Sequence, residues 1–201
     1  MSTVTKAKLV EQALHVLRAR GPEHFSARAV ARDAGVSVSL ISHHFGGREE
    51  LLDECQQVYF DALVREEAAW RARLADTDGG TIGAFCEDLC EAGYRFGVEW
   101  RPLVRYTVKR TAERGGLAAR WRDGVQRAAL TWWGEAIAAR TGLDDVTTRL
   151  RFHAAVTHLA RLVMASPADL EELTGSEHRV VQPAIVAHVR SLGRFVASTN
   201  L

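Results

Sequence analysis

Between Gly35 and Gly47 the chain reads GVSVSLISHHFGG, which sets Ser37, Ser39, Ser42, His43 and His44 close together. Hydroxyls and imidazoles can be ordinary surface or core-edge residues, ligate a metal, or hydrogen-bond to phosphates and base edges. Adjacent helix residues diverge by about 100°, so His43 and His44 do not easily share one metal. Elsewhere Cys86 and Cys90 stand at i, i+4 on one helix face, as a thiol sensor, half a metal site, or two small buried apolar residues. The last is favoured, because free cysteine is usually buried and no other ligand joins the spacing. His153 and His158 are five apart and diverge, while Asp144-Asp145 and Glu171-Glu172 sit beside breaks and read as solvated. The chain contains no HExxH, GxSxG, P-loop or GxGxxG, so neither a catalytic constellation, a metal site nor a cofactor is expected.

The period is helical nearly throughout, and the chain reads all-α. Leu9, Val10, Ala13, Leu14 and Leu17 make one stripe of a helix over about 5–20, closed by Gly21 and Pro22. Ser26 can cap a second, short helix carrying Val30, Ala31 and Ala34 inward, and Gly35 ends it. Ser37 can cap a third, which Gly46 and Gly47 break; a fourth begins near Arg48 with Glu49 and Glu50 favoured by its dipole. DTDGG at 76–80 is the clearest break. Helices follow near 81–98, 102–113, 117–141, 145–166 and 178–198, punctuated by Gly115-Gly116, Gly142 and Ser166-Pro167.

Two short helices joined at Gly35 read as a helix-turn-helix. On a helical wheel Ile41 and Phe45 point inward, Ser39 and His43 outward, with Val38, Leu40 and Ser42 on the flanks. A short, hydrogen-bonding outer face suits a helix pressed into a DNA major groove. The stretch from about Leu9 to Tyr59 resembles the DNA-binding domain of the TetR family of bacterial transcriptional regulators. The matching residues are the first-helix stripe, Phe25-Ser26, Val30-Ala31, Ala34-Gly35-Val36-Ser37, Ile41, His44-Phe45 and Arg48-Glu49-Glu50-Leu51-Leu52. The rest matches only in being helical.

The resemblance implies DNA-binding roles for Ser26, Arg28, Ser37, Ser39, Leu40, Ser42, His43, His44, Gly47 and Arg48. Ser37 and His44 would bind phosphates, Ser39, Leu40 and His43 would face base edges, and Arg28 would reach a guanine or a phosphate. Gly47 and Arg48 would clamp the backbone through an amide and a charge. Many family members carry Tyr where this chain has Ser42, and the Ile-Ser-His-His-Phe stretch is similar to a subgroup that includes choline-responsive repressors. The resemblance also implies a helical body that encloses an inducer and shifts the two heads apart.

Formal net charge is +1 and apolar content 47%, so no global field attracts nucleic acid and a local patch must do so. No apolar run is long enough for a membrane span. Three cysteines in no framework spacing and a start without a secretory pattern make a cytoplasmic protein the expectation. The expected organisation is a helix-turn-helix domain at 1–48 and a ligand-binding, dimerising domain at 49–201. Aromatics crowd residues 85–133; Phe85, Leu89, Arg105, Tyr106, Arg110, Trp121, Trp132, Trp133 and His153 are the ligand candidates. Phe152, Val156, Leu159 and Val163, with Val181, Ile185, Val189 and Leu192, form stripes for a four-helix homodimer seam. The expected function is a ligand-released repressor on a palindromic double-stranded operator. Its rival is a helical-bundle enzyme or ligand carrier with a vestigial head, against which the missing catalytic motif argues.

Overall fold

The computed structural model describes residues 6–77 and 81–199. Among them the chain is helical with no strand. The order is α1 Lys6–Arg20, α2 Ala27–Asp33, α3 Val38–Phe45, α4 Arg48–Ala75, α5 Ile82–Glu99 and α6 Arg101–Arg114. Next come α7 Ala119–Trp121, a π-helical stretch Arg122–Arg127 and α8 Ala128–Thr141, then α9 Asp145–Met164, α10 Pro167–Thr174 and α11 His178–Ala197. Part of the predicted break, Asp78–Gly80, lies outside the described residues.

Two apolar centres organise the chain. In the first, Leu9, Ala13 and Leu17 of α1 meet Phe25, Val30, Ile41 and Phe45, under Leu51, Leu52 and Cys55 of α4 and Leu103 and Tyr106 of α6. The second packs α5, α8, α9 and α11 around Phe85, Cys90, Trp133, Leu159, Ile185 and Val189, with Trp70 and Leu74 from the far end of α4. Burying each such side chain stabilises by about 1.5–3 kcal/mol. Helix α4 therefore belongs to both centres, and α6 roofs the head.

Between α5 and α11 the backbones touch. A methyl group at Gly193 would overlap the backbone of Cys86 and Glu87, so only glycine allows that approach. Arginines close the ends of other helices. Arg101 Nε donates to Val163 O at 2.8 Å, Arg140 Nη2 to Leu74 O at 3.2 Å, and buried Arg151 to Phe195 O and Ser198 O. These satisfy terminal carbonyls that have no intrahelical partner.

Two elements differ from the sequence expectation. The helix predicted over 117–141 begins at Ala119 and widens to π pitch at Arg122–Arg127, around Gly124, a poor helix former. Ser166-Pro167, expected only to punctuate, opens α10. Ser166 Oγ accepts from Asp169 N at 3.1 Å while Asp169 Oδ2 accepts from Ser166 N at 2.8 Å. That reciprocal cap, with Pro167 at the first helical turn, is a start signal written in S-P-A-D.

Candidate nucleic-acid interface

The head presents α3 as a short, doubly capped helix. Val36 N donates to Ala31 O at 2.9 Å across the turn, where Gly35 has φ +67°. Ser26 Oγ caps α2 by accepting from Ala29 N at 3.1 Å, and Ser37 Oγ caps α3 by accepting from Leu40 N at 3.3 Å. Gly46 ends α3 at φ +89°, a left-handed position that favours glycine. Ile41 and Phe45 are buried on α1, α2 and α4, so the opposite face must look outward.

That face carries Ser39, Ser42 and His43, all exposed, flanked by half-buried Leu40 and His44. Ser37 Oγ and Ser39 Oγ share a hydrogen bond of 2.8 Å, which places two hydroxyls together at the start of the helix. Ser42 Oγ turns back to Val38 O at 3.4 Å. His43 and His44 meet edge to face with centroids 5.5 Å apart, and His44 leans on Phe45. Arg28 is exposed on α2. Among the described residues it forms neither hydrogen bond nor ion pair. Lys6 reaches over the Phe45 ring and pairs with Glu54 at 2.6 Å.

Residues 9–55 match the family model described as bacterial regulatory proteins, tetR family. Over these residues the chain is similar to the DNA-binding domain of that family. An HTH-type transcriptional regulator, BetI 2 of Chromohalobacter salexigens, is 31% identical over 88 residues. The match covers 43% of this chain and spans 42% of that relative.

Within the TetR-type head, Gly47 caps α4 with extended backbone, and Arg48 has a second duty that its position did not signal. Its Nε donates to Phe25 O at 3.0 Å and its Nη2 to Pro22 O at 2.9 Å, while Nη1 pairs with Glu49. The guanidinium thus fastens the α1–α2 turn to the start of α4. No local pattern announces bonds across 23 and 26 positions.

The ligand candidates fall into two places. Phe85, Trp133 and Phe152 stack within the body core, and Trp132 meets Trp133 edge on at 4.8 Å with Arg71 over its outer face at 4.4 Å. Leu89 packs half-buried against this cluster, while His153 is exposed. Tyr106, Arg110 and Trp121 gather instead where α6 meets α4. Tyr106 OH reaches Glu49 Oε2 at 3.5 Å, Arg110 pairs with Glu49 at 3.6 Å, and Trp121 stacks on Phe60 at 4.4 Å. Arg110 and Trp121 line a small pocket with Gln56, Thr107 and Arg114. Two donors there, Arg110 Nε and Trp121 Nε1, are buried without a partner, a demand that a water or a ligand acceptor would meet. Gln56, which donates to Thr107 Oγ1 at 2.9 Å, carries no sequence signal for this place. Arg105 lies apart, exposed and 3.4 Å from Glu23 of the head.

Of the dimerisation candidates, Leu159, Val163, Val181, Ile185 and Val189 fill the core of their own chain, with Leu192 and Phe152 half-buried against it. The outer faces of α9 and α11 keep Val146, Leu150, Val156, Val180 and Phe195 exposed. Among the described residues no cluster of three or more His, Cys, Asp or Glu could hold a metal ion, and no helix is long and apolar enough to cross a membrane.

Proposed function

We propose that the chain is a transcriptional regulator, a repressor that binds a roughly palindromic operator as a homodimer and is released by a small molecule. The outward face of α3 carries this reading: short polar side chains stand exposed on a helix whose opposite side is anchored in a TetR-type head. Ser39 and His43 read base edges in the major groove, Arg28 supplies the long fork for a guanine or phosphate, and Ser26, Ser37, His44 and the Gly47 amide take backbone phosphates. Arg48 holds the turn that keeps these groups in register. The reading unit spans 1–48 and the sensing and dimerising unit 49–201.

The second copy joins through the outer faces of α9 and α11, where Val146, Leu150 and Val180 are exposed. Exposed apolar side chains at both ends of this helix pair favour association with a second copy. Half-sites then lie on the order of 34–36 Å apart or a multiple. The small molecule enters beside Tyr106, Arg110 and Trp121, where two buried donors lack acceptors, Tyr106 is part of the head's own core, and the pocket, about 10 Å³ as it stands, must open to admit it. A ligand there has unequal affinity for two head positions and biases them.

Fluorescence anisotropy on DNA from upstream of the chain's own gene tests the reading. The native protein should prefer one segment, and Arg28→Ala and His43→Ala should each weaken it by roughly tenfold. Few cations line the face, so the affinity should fall only shallowly with salt. A folded dimer with no sequence preference on any segment would overturn the proposal.

A further inference from the structure

A cleft of about 470 Å³ opens where the head meets the body, away from the small pocket beside Trp121. Arg18 and Arg20 from the end of α1, with Glu23 and His24 of the following turn, form one wall, and Arg101 and Arg105 from the start of α6 form the other. Four arginines thus line a concavity in which, among the described residues, Glu23 is the one lining carboxylate. Their present partners are loose or neutral. Arg105 meets Glu23 at 3.4 Å, and Arg20 meets Asp33 at 3.4 Å outside the lining. Arg101 gives its Nε to the Val163 carbonyl. Asp169 also lies within electrostatic reach of Arg105. The Arg18 guanidinium lies over the Trp100 ring, 5.3 Å from its centroid, and among the described residues meets no carboxylate. Exposed ion pairs of this length contribute little, so an incoming oxyanion displaces Glu23 at small cost. Like charges in a cleft focus the field and concentrate anions, and planar guanidiniums bind carboxylate or phosphate oxygens in pairs.

We infer that this cleft is a binding site for a small molecule bearing a dianionic oxyanion group, and that its occupancy ties the end of α1 to the start of α6. The volume suits a metabolite-sized ligand. The floor is the Pro22 turn, whose carbonyl Arg48 already holds at 2.9 Å, so an anion here also bears on the register of the reading head. The site itself rests on the cleft alone; only this last effect rests on the DNA-binding reading.

Isothermal titration with inorganic phosphate and with succinate, each against chloride at equal ionic strength, tests the inference on the full chain. Binding of phosphate alone points to a phosphate ester and binding of succinate alone to a dicarboxylate; either supports the site. Arg18→Gln with Arg105→Gln should weaken that binding at least tenfold while Arg95→Gln, exposed on α5 and outside the cleft lining, leaves it unchanged. Circular dichroism confirms that each variant is folded. Hydrogen exchange should slow at both the end of α1 and the start of α6 when the anion is added. Binding that chloride reproduces, binding indifferent to the double variant, or protection on one wall only would overturn the inference. DNA affinity enters none of these readings, so failure of the regulator proposal and failure of this one are separate results.

Discussion

In the head, Arg28, Ser39, Ser42 and His43 point outward, and Arg28 meets no partner among the described residues. In the body, Arg101, Arg140 and Arg151 each close the end of another helix, and Arg190 of α11 pairs with Glu87, Asp88 and Glu91 of α5. The same residue type is left uncommitted on the head surface and is tied to other helices in the body. Substitutions in the two regions should therefore separate affinity from stability.

The largest effect belongs to the body's tightest seam. Gly193→Ala should lower the unfolding free energy by about 3 kcal/mol, because the obstacle is backbone and cannot swing away. An unchanged urea midpoint would show that α5 and α11 stand further apart. Arg151→Met should follow at about 2 kcal/mol, since it leaves the Phe195 and Ser198 carbonyls without their donor. Arg28→Ala should instead leave stability within about 0.5 kcal/mol while operator affinity falls roughly tenfold. A stability loss matching that of Arg151→Met would erase the contrast.

Two smaller tests refine the body side. Burial pushes the thiols of Cys55, Cys86 and Cys90 up to about 12. They stay protonated at neutral pH and should react with a disulfide reagent only as the chain unfolds; prompt labelling of Cys86 or Cys90 would restore the sensor reading. Hydrogen bonds from Arg95 and then Arg190 hold the Glu91 carboxyl below its ordinary 4.5. Its contribution is therefore fully present above that value and is lost as pH falls through the lowered folded one. Glu91→Gln should slightly lower stability near neutrality and flatten the acid limb, and the difference from the native chain should vanish once pH falls below the lowered folded value.

Helix α3 was legible because several local signals agree over a short stretch. Ser37, Gly46, and the Ile41 and Phe45 spacing each constrain the same eight-residue helix. The reciprocal cap that opens α10 was equally local but was masked by reading Ser166-Pro167 as a break. What stayed hidden depends on tertiary packing. Aromatic spacing in 85–133 cannot distinguish a tryptophan inside the core, such as Trp133, from one beside the joint, such as Trp121. A stripe on α11 cannot say whether it meets its own chain or another copy. Here the more apolar stripe, Val181, Ile185 and Val189, fills the chain's own core. The Arg48 bonds to Pro22 and Phe25 join positions that no periodicity connects.

Helix α4 enters the head core through Leu51, Leu52 and Cys55 and the body core through Trp70 and Leu74. Its 28 residues make a rod of about 42 Å at ~1.5 Å per residue. A tilt of about 5° at the body end sweeps the other end by roughly 4 Å, from simple leverage over that length. Two copies swinging apart would change the head separation by about 8 Å, roughly a quarter of the ~34 Å turn that spaces major grooves on one side of DNA. On the proposed dimer, small repacking beside Trp121 or Trp70 would thereby be geared up into a displacement of the heads large enough to lose a spaced pair of half-sites.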